Sequence, residues 1–201
     1  MILDIALNGG GFDRICFLDD DPRKSGKNFC GHLVLGGAEK LDPLSGSSFV
    51  VALGDNKIRA KCFDLACRAG LNPAVLVHRT AVISPSAVLG EGTVVMPAAV
   101  VNPGARVGRN CIINSGAIVE HDCEIGAHVH ISPRAVLGGA ARVRDFAHVG
   151  IGAVVLPLAS IGCESTVGAG AVVLREAPAH AIVVGIPARM RSDFLARGDH
   201  R

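Results

Sequence analysis

The residues best suited to carry chemistry are an acid–histidine–acid group, Glu120-His121-Asp122. A free imidazole titrates near neutrality, so a histidine here could take a proton from a substrate as a general base. A carboxylate beside it can fix which ring nitrogen carries the hydrogen. The residue types alone leave an alternative open, namely a solvated histidine at a turn.

A hexapeptide repeat positions this group. Written in sixes from Val77, the chain gives 17 consecutive hexads up to residue 178, without an insertion. Every first position is Val, Ile or Leu, every fifth is Ala, Cys, Thr, Ser or Val, and glycine gathers at the second and fourth. Because such short periods are typical of solenoids, the pattern predicts a repeat fold rather than an ordinary alternating β-domain.

The physical interpretation is a parallel β-helix. Each hexad supplies a short strand with one aliphatic residue inward, a small residue near a corner, and glycine or proline for the turn. Three hexads make one coil, so the 17 hexads predict between five and six coils, stacked about 4.8 Å apart. His148 follows His130 by 18 residues, and Gly139 follows His121 by 18, so each pair should lie one coil apart.

Two other regions flank the predicted prism of residues 77–178. Residues 1–76 alternate strand and helix patterns, which predicts a small α/β domain with a parallel sheet. Residues 179–201 form a tail with a mostly polar, basic end. The predicted elements of the first domain are a helix at 2–7 stopped by glycines at 9–11, strands at 14–18 and 49–53, and a helix at 57–69 ending at Gly70.

Composition excludes several classes of protein. The chain carries 20 Lys+Arg against 18 Asp+Glu, a near-balance that predicts no nucleic-acid partner. No uncharged apolar run is long enough for a membrane helix, and the start of the chain lacks the basic region of a signal peptide. Seven scattered cysteines without a C-x-x-C pair favour a reducing cytoplasm over a disulfide framework.

Four segments occur together: FLDDDP and VALGDN in the first domain, EHDC in the eighth hexad, and VGIPAR in the tail. The combination resembles the bacterial sugar-nucleotide 4-amino N-acetyltransferases of the bacillosamine and perosamine type, in the sialic-acid O-acetyltransferase-like family. The hexads alone resemble the wider group of left-handed β-helix acyltransferases. The resemblance implies a Rossmann-like first domain, left-handed coiling, and a homotrimer with acetyl-CoA bound between neighbouring prisms.

The resemblance also implies roles for residues of the prism. His121 is the general base and Asp122 its orienting partner; the bacillosamine-type enzymes have Glu at the position of Asp122, so the reach of this contact differs. Asn114 contacts the sugar, and His130 lies near the acceptor sugar or the acetyl group. From its place one coil above His121, the Gly139 N–H is expected to meet the thioester oxygen. For these three residues a turn or surface role is the structural alternative.

In the first domain, an acid at the end of the second strand of a dinucleotide fold meets a ribose hydroxyl. The resemblance places base or ribose contacts at Asp19 and Asp20. A helix cap or turn is the alternative for both. Further residues that it implies for the sugar nucleotide are Gly54, Asp55 and Asn56, and for acetyl-CoA Gly185, Pro187 and Arg189.

No metal site is predicted. The β-helical carbonic anhydrases bind metal through two histidines five residues apart and a third from another coil. No pair among the candidate histidines has that spacing; they are His121, His128, His130 and His148. Cys111 and Cys123 occupy fifth positions and should face inward as small apolar groups.

The chain departs from the family pattern at its beginning. The family starts with a strand and a loop of the G-x-G-G-H kind, whose amides hold phosphates. Here the sequence opens at the helix that should follow this loop, so the first domain is expected to lack its first strand, or the chain to begin upstream of Met1. We therefore expect weak sugar-nucleotide binding.

The sequence thus predicts an acetyl-CoA-dependent N-acetyltransferase that acts on the 4-amino group of a UDP- or GDP-linked deoxysugar. Two alternatives stay open: an O-acetyltransferase acting on a sialic acid or another hydroxyl acceptor, and a non-catalytic prism. The sequence distinguishes neither the nucleotide nor the sugar.

Overall fold

The amino-terminal part of the chain forms two helices and two small sheets. The computed structural model describes residues 1–9 and 11–191. Gly10, part of the predicted helix stop, and residues 192–201 of the predicted tail lie outside the described residues. The elements are α1 (Ile2–Gly9), β1 (Phe17–Leu18), β2 (Asn28–Phe29), β3 (His32–Gly36), two 3₁₀ helices (Ala38–Lys40 and Asp42–Leu44), β4 (Ser48–Phe49), α2 (Asn56–Arg68) and β5 (Asn72–Pro73).

The strands of this part are shorter than the apolar runs predicted. β3 pairs in parallel with β1 and antiparallel with β2, and β4 pairs in parallel with β5. Residues 50–53, predicted as strand, leave the ladder, and Val50 packs instead with Ile5 and Leu76. Helix α2 begins where Asp55 caps it, since the Asp55 Oδ1 accepts a hydrogen bond from the Ile58 N–H at 2.8 Å.

The hexads fold into the predicted three-sided prism. Each of the first sixteen hexads contributes a two-residue strand made of its last residue and the first residue of the next hexad. Strands pair in parallel at an interval of 18 residues, as Val100 does with Val82 and Ile118. One coil of the prism is therefore three hexads.

The three faces of the prism are three sheets, which we name by the side chains they point outward. The histidine face consists of β6 (Leu76–Val77), β9 (Val94–Val95), β12 (Ile112–Ile113), β15 (His130–Ile131), β18 (His148–Val149), β21 (Thr166–Val167), β24 (Ile182–Val184) and β25 (Arg189–Met190). The aliphatic face consists of β7 (Val82–Ile83), β10 (Val100–Val101), β13 (Ile118–Val119), β16 (Val136–Leu137), β19 (Val154–Val155) and β22 (Val172–Val173). The charged face consists of β8 (Val88–Leu89), β11 (Arg106–Val107), β14 (Glu124–Ile125), β17 (Arg142–Val143), β20 (Ser160–Ile161) and β23 (Glu176–Ala177).

The core and the corners explain the hexad pattern. First-position aliphatic and fifth-position small residues form one continuous core, in which Cys111 and Cys123 are buried as predicted. The fourth residue of every hexad from 92 to 170 has a positive φ, between 52° and 75°. That left-handed conformation favours glycine, which accounts for the glycines at this position.

The repeat changes at its end. β22 and β23 begin four residues apart instead of six, and Ser160 pairs with Glu176, 16 residues on. The run predicted as the seventeenth hexad is therefore shortened. The last strand of the parallel ladder, β24, turns back through the VGIPAR segment into β25, which pairs antiparallel with it.

The first domain packs on the lower half of the histidine face. Ile5 of α1 covers Val94 and Ile112, so Val94, although it points outward from the prism, is only 1% exposed. Phe63 of α2 lies edge-on to the ring of His128. In the described part of the chain, neither helix is long and apolar enough to cross a membrane.

Candidate active site

His121 and Asp122 form a hydrogen-bonded pair at the corner between the aliphatic and charged faces, which we call the His121 corner. The His121 Nδ1 lies 2.9 Å from the Asp122 Oδ2, and the two side chains are 60% and 69% exposed. A carboxylate accepts, so Nδ1 carries the hydrogen and Nε2 keeps its lone pair. The open nitrogen is thus the one that can accept a proton from a substrate.

Two glycines in the neighbouring coils leave the space that this pair occupies. A Cβ at Gly139, one coil above, would lie 2.5 Å from the His121 Nε2, so only glycine lets the ring rest there. A Cβ at Gly104, one coil below, would collide with the Asp122 Oδ1. Sequence reasoning found Gly139 and missed Gly104. The 18-residue offset from Asp122 is the signal that could have found it.

A second group surrounds His130 on the histidine face. The Asn114 Nδ2 lies 3.1 Å from the His130 Nε2, and the His130 Nδ1 lies 3.3 Å from the Gly54 carbonyl oxygen. His130 therefore joins the first domain to the prism. Burial, the nearby His148 ring and the charge of Arg59 lower the pKa of His130 to about 4.

The turn before α2 is held by a buried arginine. Arg59 is 1% exposed, and its guanidinium donates to backbone carbonyls on both sides of the domain contact. The acceptors include Gly54 at 3.2 Å in the first domain and Asn110 and His128 at 3.0 and 2.8 Å in the prism. Sequence reasoning missed Arg59, because nothing in an arginine at helical spacing distinguishes a buried one.

Asn56 and Asp55 also have structural contacts. The Asn56 side chain donates to the carbonyls of Phe146 and Ala147 at 2.9 and 3.0 Å, which fixes α2 on the prism. The side chain of Asp55 caps α2. The Gly54–Asn56 turn is therefore placed by the prism beside His130.

Asp19 and Asp20 follow β1 at the edge of the first sheet. The Asp19 carboxylate accepts from Lys24 at 2.6 Å, and that hydrogen bond lowers the pKa of Asp19. The Asp20 Oδ1 accepts from the Ala38 N–H at 3.1 Å. Both acids therefore make contacts within the first domain.

The VGIPAR segment closes the end of the prism. Gly185, with φ of 93°, starts the turn from β24 to β25. The Gly185 carbonyl accepts from the Val172 N–H at 3.0 Å, and the Ala188 N–H donates to the Val172 carbonyl at 2.8 Å. Arg189 is exposed at this end.

The predicted site residues therefore form separate groups within one chain. The His121 corner joins the aliphatic and charged faces and therefore points away from the histidine face. His121, Asp122 and Gly139 come together, and so do Asn114, His130 and Gly54, but one chain does not bring the first group to the second. Within the described residues, no three His, Cys, Asp or Glu side chains are grouped to hold a metal ion.

Comparisons with protein families match both halves of this architecture. The model of the PglD N-terminal domain matches residues 1–65, and the bacterial transferase hexapeptide model matches residues 86–120 and 104–139. No curated protein sequence matches the chain.

Solved structures resemble nearly the whole chain. The acetyltransferase domain of PglB from Neisseria gonorrhoeae FA1090 is 35% identical, with a TM-score of 0.90, over 94% of this chain and 93% of that one. PerB from Caulobacter crescentus, crystallised with CoA and GDP-perosamine, is 37% identical, with a TM-score of 0.84, over 88% of this chain and 84% of its own. WeeI from Acinetobacter baumannii AYE is 29% identical, with a TM-score of 0.80, over 88% of this chain and 85% of its own.

Fold and site together define a left-handed β-helix acyltransferase of the hexapeptide class. More narrowly, the chain belongs to the acetyltransferase family of PglB and PerB, which joins a PglD-type N-terminal domain to hexapeptide repeats. The resemblance inferred from its sequence segments is confirmed.

Proposed function

We propose that this protein transfers the acetyl group of acetyl-CoA to the 4-amino group of a nucleotide-linked deoxysugar, a step that supplies glycan or lipopolysaccharide synthesis. The observation that carries the proposal is the His121–Asp122 pair, whose open Nε2 rests against Gly139. The relatives support the substrates: the PglB domain was also crystallised with acetyl coenzyme A, and PerB with CoA and GDP-perosamine. Variants of a perosamine N-acetyltransferase with one histidine replaced were crystallised with the same two ligands.

The reaction proceeds without a covalent enzyme intermediate. The His121 Nε2 takes a proton from the substrate amine as the nitrogen attacks the thioester carbonyl. The carbonyl oxygen gains negative charge in the tetrahedral intermediate, and the Gly139 N–H is positioned to donate to it. The C–S bond then breaks, and the imidazolium returns its proton to the departing CoA thiolate. Asp122 holds the ring in the tautomer that this sequence of transfers needs.

The complete site is formed by two copies of the chain in a homotrimer. The His121 corner of one copy meets the histidine face of its neighbour, because this corner lies between the other two faces of its own prism and points away from its own histidine face. The outward column of the aliphatic face adjoins the His121 corner and gives such an assembly an apolar surface to bury. Its members are Val82, Val100, Ile118, Val136, Val154 and Val172.

Acetyl-CoA lies between the two copies. Gly139 receives its thioester end, and the turn that contains Gly185, Pro187 and Arg189 receives its far end. A groove of about 420 Å³ on the histidine face can contact the pantetheine chain, which connects the thioester to the nucleotide end of acetyl-CoA. Glycines and apolar side chains line most of it, which suits a pantetheine chain.

The sugar nucleotide binds at the first domain and reaches Asn114 and His130. Asp19, Asp20 and the Gly54–Asn56 turn mark the binding edge, with His130 already joined to Gly54. We further propose a reducing compartment, the cytoplasm, because all seven cysteines are free.

A thiol-release assay tests this function. Acetyl-CoA is incubated with UDP- and GDP-linked 4-amino sugars, with the matching 4-hydroxy sugars, and with a sialic acid. Thiol release that needs the amine, and that His121→Asn abolishes, is the expected result. Release with hydroxyl acceptors alone would indicate O-acetylation, and release with none of the acceptors would contradict an acetyltransferase role for this chain.

A further inference from the structure

The hydrogen bonds around His130 fix its protonation state. The Asn114 Oδ1 accepts from the Ser115 N–H at 2.8 Å, so the amide nitrogen of Asn114 is the atom that faces the His130 Nε2. That nitrogen donates, and the His130 Nε2 must therefore carry a lone pair. Because the other ring nitrogen faces the Gly54 carbonyl, the hydrogen lies on Nδ1 and the ring is uncharged.

A second imidazole covers His130. The His148 ring stacks on it with centroids 4.9 Å apart and an angle of 3° between the planes. The His148 Nε2 is held at 2.7 Å by the hydroxyl of Ser132, a residue that is 3% exposed. Ser132 takes the same place above Asn114 that His148 takes above His130, so the two coils repeat one arrangement.

The charges near this stack disfavour protonation. The ionisable groups that bear on His130 are His148 and Arg59, and both are basic. Burial and Arg59 also lower the pKa of His148. A proton on either ring would lie beside the other ring, and a proton on the His130 Nε2 would break the hydrogen bond that this atom accepts from Asn114.

We propose that His148 is a positioning residue: its ring covers His130 and keeps it dry and uncharged, so that the site can receive the amino group of the acceptor as an ammonium ion. This inference rests on the proposed function. An alkyl amine is mostly protonated near neutrality. It arrives as an ammonium ion, releases one proton to solvent before it attacks, and gives a second proton to His121 during the attack. A positive His130 would repel that cation, whereas a neutral ring, with both of its nitrogens already hydrogen-bonded to Asn114 and Gly54, does not.

The direct test is the pKa of His130, measured by NMR titration of the imidazole signals in the whole protein. His148→Ala removes the cover, and His148→Phe keeps a flat ring of similar size in its place. With Ala, the pKa of His130 should rise from about 4 to above about 5. With Phe it should stay within about 0.5 of the wild-type value. A wild-type value near that of a free imidazole, or an unchanged value in the Ala variant, would overturn the proposal.

Kinetics provide the second readout. In His148→Ala, the KM for the amino-sugar nucleotide should rise between pH 8 and pH 5.5 by at least about 1.3-fold more than in wild type, and by about fourfold more if the pKa of His130 reaches about 6, while the KM for acetyl-CoA follows the wild-type course. His148→Phe should follow wild type for both substrates. A shifted His130 pKa with an unchanged sugar KM would reject the role in amine binding. If wild type acetylates no amino-sugar nucleotide, the proposed function fails, whereas the NMR result still decides whether His148 covers His130.

Discussion

The two histidine groups of the prism are built in opposite ways. His121 is exposed, has one hydrogen-bonded partner for its ring, and keeps Nε2 open against a glycine. His130 is half-buried, uses both ring nitrogens and lies under a second ring. A base must exchange protons with a substrate and needs an open nitrogen, whereas a binding residue gains from being fixed. The same repeat supplies both environments, since a corner leaves a side chain in solvent and a face lets neighbouring coils and the first domain enclose it.

Replacing the exposed His121 should have the greatest effect on activity. His121→Asn should lower kcat at least about 100-fold, the usual scale for removing a general base. Because the side chain is exposed, the free energy of unfolding should change by less than about 0.5 kcal/mol. Steady-state kinetics and urea unfolding of the same sample measure both quantities. Near-full turnover would show that the base is another residue.

The enclosure of His130 between the first domain and the prism depends on Arg59. Arg59→Met should destabilise the protein by about 3 kcal/mol, because it leaves the carbonyls of Gly54, Asn110 and His128 without their donor. Lys61→Met, on the exposed side of the same helix, is the matched control and should cost less than about 0.5 kcal/mol. Urea unfolding compares the two variants. Equal effects would show that the buried guanidinium does not hold the domains together.

Acid should affect the enclosed histidines first. The pKa of His130 is about 4 in the fold and near the ordinary value of 6.5 in the unfolded chain. The unfolded chain therefore binds the extra proton, so this contribution to stability is present above pH 6.5 and lost as pH falls toward 4. The expected loss is on the order of 2 kcal/mol between pH 6.5 and pH 5, from this group alone. Urea unfolding across this range measures it, and stability that is flat or rises with acid would contradict the assignment.

Gly139 should affect activity less, through the position of the His121 ring. Gly139→Ala places a Cβ against the His121 Nε2 and should lower kcat about tenfold by moving the ring. In a His121→Asn background, the same change should cost much less, because the ring it displaces is gone. Full additivity in this double-mutant cycle would show that Gly139 acts independently of His121.

The sequence predicts the two regions unequally, for physical reasons. The prism follows from a local rule repeated every six residues, so its core positions, coil interval and the stacking of His130 on His148 can be counted from the sequence. Other features depend on contacts between distant segments. No local sequence pattern predicts that Val94 is buried under α1. The same is true of the six oxygen atoms that accept hydrogen bonds from the Arg59 guanidinium, and of the space that Gly104 leaves for the Asp122 carboxylate. The strands predicted from apolar runs in the first domain are longer than the observed ones, because residues such as Val50 pack against a helix instead of pairing with another strand.

In the proposed function, the His121 corner of one copy and the histidine face of another form one site. Subunit mixing tests it most directly, with His121→Asn chains and His130→Ala chains that are each inactive alone. After co-expression in equal amounts, random assembly into trimers should restore about a quarter of wild-type activity, because one interface in four pairs an intact His121 with an intact His130. Recovery near that level supports the account. A mixture as inactive as its two components would contradict it, because both histidines would then have to act from the same chain.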